Sequence, residues 1–262
     1  MAKINVTTLG EISQSIIDKV LGVMQACYKV IGKPRVNSIE LRIVEKSAEE
    51  FFFATHDASQ GKPIVTVYID KLLEVPYLVA LAGIRCQATH SVLHGSSEYY
   101  FIKVPQDLLR AMKQYNLPQS YANGLLYSAG MAAKEYEVTS LLYCKSYVEE
   151  QVAYAKYILD PSAEEVLAWK IASRNKWEKT FHLASLIRDI SCAVPLTQDE
   201  QIGEEIKDYI AKKLAHISSD YQLRIQKIIY EGFSLLGTNT FENIDLVTKL
   251  VVEDIVDYEL SQ

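Results

Sequence analysis

The sequence predicts an α+β protein: a small sheet near the front of a chain that is otherwise helical. Three observations carry this. Residues 39–69 hold short β-branched runs that alternate apolar and polar side chains. Long stretches on either side repeat apolar residues every three or four positions. Between the two lies an apolar segment, 75–93, that is too long for a strand, with His90 near its end and His94 just after it.

The first helix is predicted from Thr8-x-x-Glu11, read as a capping box, and from Ile12, Ile16, Val20, Val23, Cys27 and Ile31 at helical spacing. Gly32 and Pro34 stop it. Ile39-Glu40-Leu41-Arg42-Ile43-Val44 alternates like a strand with one buried face. Residues 51–55 give a short second strand, and 56–61, with His56 and Asp57, a turn. Ile64-Val65-Thr66-Val67-Tyr68-Ile69 is the third strand. Pro76 suits a helix start, and that helix runs to about His94, where Gly95 ends it. Further helices are expected from Pro105 and Asp107 to about Gln114, over 120–143 and over 147–159, with Asn116-Leu117-Pro118 as a break.

Asp160-Pro161-Ser162 is the best boundary, giving domains at 1–160 and 161–262. Ser162-x-x-Glu165 and Thr197-x-x-Glu200 read as further capping boxes. The second half reads as an all-α bundle, with stripes such as Ile202, Ile206, Ile210 and Phe241, Ile244, Val247, Val251. Trp169 and Trp177 are expected to anchor it, and His182 and His216 lie on its helices.

The chain has 262 residues, a hydrophobic content of 49%, ample for a core, and a net charge of −6 with a pI near 5.5. An acidic balance without a Lys/Arg cluster argues against nucleic acid as a partner. No apolar run reaches the ~18 residues of a membrane span, and the amino terminus has no signal-peptide core. A cytoplasmic, soluble protein is therefore expected. Cys27, Cys86, Cys144 and Cys192 form no C-x-x-C pair and are expected as buried free thiols. Phosphate-loop, dinucleotide and nucleophile-elbow motifs are absent.

His90 and His94 are the chemical signal. In a helix, residues four apart share a face one turn apart, so two imidazoles can grip one divalent metal, usually zinc. The plain alternative is two core or surface histidines with no ligand. In H-E-x-x-H the Glu after the first His is a metalloprotease's general base. Here Ser91 stands at that position. A serine hydroxyl is too weak a base near neutral pH unless another group activates it.

The order of helix, strands, His-bearing helix and then an acidic helix resembles the zincin metallopeptidases, of gluzincin-like type, over about residues 10–158. The segment Ala133-Lys134-Glu135-Tyr136-Glu137-Val138-Thr139-Ser140-Leu141-Leu142 is similar to their acidic-ligand helix. The resemblance implies a zincin-like N-terminal domain: helix, small three-stranded sheet, His-bearing helix and acidic-ligand helix. It implies zinc held by His90, His94 and Glu135. Glu137 is the alternative third ligand, and Glu149 and Glu150 are weaker candidates. With Ser91 replacing the base, it implies a metal-binding pseudoenzyme inactive as a peptidase, which could bind a carboxylate, a peptide or a protein partner. Two other readings stay open: a metal-free protein-interaction module on the same scaffold, and a hydrolase whose base is unrecognised. Glu98 is the nearest substitute for that base. Tyr99 and Tyr100 could donate to an oxyanion or simply pack at the core margin.

Overall fold

A computed structural model describes residues 3–34, 36–47 and 52–261. The fold is α+β: a four-stranded sheet and many helices. By packing, the chain forms two units, one of residues 1–102 and 138–154, the other of residues 103–137 and 155–262.

The first unit begins with strand β1 (Lys3–Leu9), which the sequence reading overlooked. Thr8 lies in this strand, so Thr8-x-x-Glu11 is not a capping box. Helix α1 (Gln14–Ile31) starts after Ser13 and ends at Gly32, whose φ of 105° favours a residue without a Cβ. It buries Val20, Met24, Cys27 and Tyr28. Strand β2 (Ser38–Val44) buries Ile39, Leu41 and Ile43 and half-exposes the residues between, as its alternation predicts. Strand β3 (Ala54–Asp57) follows; Phe51, at the start of the predicted second strand, lies outside the described residues. Here the expected turn is corrected: His56 and Asp57 sit in the strand. Strand β4 (Ile64–Tyr68) runs into a single helical turn, α2 (Ile69–Leu72).

The sheet order is β1-β2-β4-β3, so the expected three strands are four. β1, β2 and β4 are parallel, and β3 is antiparallel at one edge. Helix α3 (Tyr77–Leu93) packs against α1, β3 and β4. It is buried on several sides, through Val79, Ala82, Gly83, Ile84, Cys86, Ala88, Thr89, His90 and Ser91. That explains an apolar segment with no clean polar stripe. Among the described residues no helix is long and apolar enough to cross a membrane. At its close approach to α3, the Phe53 ring lies where a Cβ on Gly83 would be. Gly95 follows the helix cap His94, and a Cβ there would collide with the Ser91 carbonyl.

Helix α4 (Gln106–Tyr115) ends in a left-handed Asn116. Helices α5 (Gln119–Cys144) and α6 (Val148–Leu159) each give residues to both units. Helix α7 (Ala163–Ala172) is capped by Ser162, whose hydroxyl accepts from the Glu165 amide, as the second box predicts. Helix α8 (Lys176–Ser191) is capped by Asn175. Thr197 caps nothing; it sits in a 3-10 turn, Val194–Gln198, and bonds back to the Val194 carbonyl. Helices α9 (Gly203–Leu214), α10 (Ser219–Gln226), α11 (Thr240–Val251) and α12 (Asp257–Leu260) complete the second unit. π-helical turns at Lys227–Gly232 and Val252–Val256 continue α10 and α11. Among the described residues no disulfide forms; Cys27, Cys86 and Cys192 are buried as expected, whereas Cys144, at the end of α5, is exposed.

Gly83→Ala forces the Phe53 ring out of its site. We expect a loss of about 1–3 kcal/mol, read as a lower denaturant midpoint at unchanged slope.

Candidate functional site

Helix α3 brings His90 and His94 together. Both are buried, and their Nδ1 atoms stand 3.1 Å apart. At that distance one ring carries its proton on Nδ1 and donates to the other. The pair closes the last turn of the helix, where the His94 amide also donates to the His90 carbonyl at 2.7 Å.

Aromatic rings fix this pair in place. The His56 ring of β3 stacks on His90 with centroids 5.8 Å apart and planes 14° apart. Tyr99, in the 3-10 turn Ser97–Tyr99, meets His94 edge-on at 5.4 Å. The Tyr100 hydroxyl lies 2.8 Å from His56 Nδ1. Thus Tyr99 and Tyr100 pack on and bond to the histidine cluster. His56 is the site residue that sequence reasoning missed. Its signal was position in an edge strand, and the residues around it read instead as turn formers.

Ser91 points elsewhere. It follows His90 by 100° of helical rotation and faces α1. Its hydroxyl donates to the Ala88 carbonyl at 2.6 Å and lies 2.7 Å from the Tyr28 hydroxyl, which can donate to it. Burial drives the Tyr28 phenol well above its ordinary range. Beside it, burial raises the Cys27 thiol to about 11, with Thr89 opposing the rise. This wall of α3 is protonated and structural. Glu98 is exposed on the 3-10 turn and accepts from the Ser96 hydroxyl at 3.0 Å.

The acidic candidates separate. Glu150 forms an ion pair with Arg85, whose guanidinium lies 4.3 Å over the Tyr147 ring. Glu137 is held within the second unit: Thr240 donates to it at 2.7 Å and Asn243 at 2.6 Å. Glu135 also belongs to that unit, next to Lys134. Burial pulls the Lys134 ammonium down to about 8, against the opposing pull of Glu137 and Glu135. Among the described residues, no three or more His, Cys, Asp or Glu side chains are grouped so as to hold a metal ion.

The second unit gathers its own histidines. His182 and His216 meet edge to face at 6.1 Å beside Trp169, and His216 Nε2 lies 4.0 Å from Glu165. Lys213 forms an ion pair with the same Glu165. Three helices, α7, α8 and α9, supply these groups together with the turn after α9, where His216 sits instead of on a helix, so no local spacing announces them. Comparison with protein-family models, with curated proteins and with solved structures finds no match to the chain.

Two tests follow from this geometry. Tyr28→Phe removes one buried hydrogen bond and should cost about 1 kcal/mol, whereas Ser91→Ala strands the Tyr28 hydroxyl and should cost about 1–3 kcal/mol by chemical denaturation. Burial, aided by His216, lowers the His182 imidazole from 6.5 to about 4, and burial lowers His216 too. Between these values the unfolded chain binds protons that the folded chain refuses, so stability must fall as pH drops from 6.5 toward 4. Thermal melts should show the midpoint falling on acidification, and His182→Asn should flatten that slope between pH 6.5 and 5.

Proposed function

We propose that this chain is a zincin-type, metallopeptidase-like protein that binds a divalent metal through His90 and His94 and does not cut peptides. The observation that carries the reading is the 3.1 Å separation of the two Nδ1 atoms. Two nitrogens at ~2.05 Å from a tetrahedral zinc lie about 3.3 Å apart. The spacing is close to that value, and an ion would replace the proton shared by the two rings, each ring turning its lone pair from its neighbour toward the metal. Stacking by His56 and edge packing by Tyr99 orient both rings. The resemblance to zincins assigns the third ligand to Glu135, with Glu137 already engaged by Thr240 and Asn243.

Bound zinc would supply Lewis acidity and lower the pKa of its water to about 7. Peptide hydrolysis also needs a proton shuttle, worth on the order of 10²–10⁴-fold in rate. Ser91 gives its proton to a helix carbonyl and is not placed for that task. The protein's role is thus metal-dependent binding, with a carboxylate or a peptide as the group recognised.

Cobalt titration followed by its visible spectrum, and elemental analysis of the purified chain, test this. One tetrahedral metal per chain is expected. His90→Ala and His94→Ala should each weaken binding by more than tenfold, and Glu135→Gln should weaken it if that residue is the third ligand. A wild-type chain that takes up no cobalt or zinc at micromolar concentration would falsify the proposal.

A further inference from the structure

Strand β1 carries a separate message, independent of the histidines. It is the end strand of the sheet, opposite β3. In its parallel register with β2, the Lys3 amide donates to the Asn37 carbonyl, and the Leu9 carbonyl accepts from the Glu45 amide. In a parallel ladder the bonded residues alternate, so Lys3, Asn5, Thr7 and Leu9 turn their backbone groups toward β2. Ile4, Val6 and Thr8 then direct three N–H and three C=O groups outward. The strand has none of the usual devices that blunt an edge: no proline, no bulge, and a single charge, Lys3, at one end. Val6 is 37% exposed and Leu9 53%.

The edge is complementary to itself. Consider two copies related by a two-fold axis at Val6. Val6 faces Val6 of the second copy, and Ile4 faces its Thr8. Each of these pairs exchanges both hydrogen bonds, so all six outward groups of each copy are satisfied at once. The cross-strand pairs are β-branched, the types that stabilise such contacts. The charges agree as well. One end of β1 carries Lys3; the other leads through Gly10 to Glu11, whose amide binds the Glu45 carboxylate at 2.8 Å. An antiparallel two-fold brings the basic end of each copy beside the acidic end of the other.

We infer that β1 is a dimerisation edge, through which a second copy of this chain extends the sheet from four strands to eight. The contact is isologous and closes after two copies.

Analytical ultracentrifugation of the full chain tests this, with two variants. The wild type should sediment at twice the 29.6 kDa of the chain at high micromolar concentration. Val6→Lys places two ammonium groups opposite each other across the axis, and Val6→Glu two carboxylates; each alone should be a monomer with unchanged circular dichroism. Mixing the two variants one to one should restore the dimer, since the opposed charges now attract. A monomeric wild type overturns the inference. So does a dimer that survives Val6→Lys, or a mixture that stays monomeric, because either places the contact elsewhere or gives the edge to another occupant.

Discussion

The packing of α3 between α1 and the sheet is the constraint on which the first unit depends. A helix buried on several sides needs small residues wherever another element comes close. Gly83 admits the Phe53 ring, and Ala82 and Ala88 are fully buried. It also needs every polar side chain on those faces to find a partner, because an unmade bond there costs about 1–3 kcal/mol. Thr89 bonds the Arg85 carbonyl, Ser91 bonds Ala88 and faces Tyr28, and Arg85 pairs with Glu150 under Tyr147. With three faces so committed, the last turn has one direction left for His90 and His94. They meet His56, Tyr99 and each other.

This division of α3 separates two uses of neighbouring residues. His90 and Ser91 are adjacent in sequence, yet one belongs to an imidazole cluster and the other to a helix interface. A catalytic carboxylate at position 91 would have to displace the Tyr28 hydroxyl from a fully buried site. The same packing that holds the two imidazoles in register therefore works against placing a carboxylate beside them.

The second unit solves a different problem. Its core is aliphatic, from Leu183, Ile187 and Ile190 to Ile244, Val247 and Val251, but charged groups thread through its margin. Lys179 pairs with Glu259, which also accepts from Tyr221, and Lys227 and Arg224 converge on Asp254. Asp254 lies in one π-helical turn and Lys227 opens the other. Widened turns of this kind shift the side-chain phase of a helix, and here they let one carboxylate meet two cations. The carboxylates of these pairs are buried while the cations reach solvent, so loss of the cations would leave a buried negative charge.

Much of the architecture was legible because period and burial agree. β2 shows a clean alternation, α1 keeps much of its apolar stripe and Ser162 caps α7, all from rules that act within a few residues; the His helix ends beside Gly95, although that glycine is not left-handed. The misreadings share a cause. β1 exposes most of its side chains at the sheet edge, so no alternation marks it, and Thr8 and Glu11 imitated a cap. His56 reads as a turn because its strand is four residues long and, among the described residues, pairs with β4 alone. The sequence by itself determined the helices, the central strands and the placing of two imidazoles one turn apart, because these depend on local geometry. Only the tertiary structure decided that Ser91 faces Tyr28, that His56 covers His90, and that His182 meets His216. Those contacts join residues distant in the chain, and burial between packed elements, not spacing, selects them.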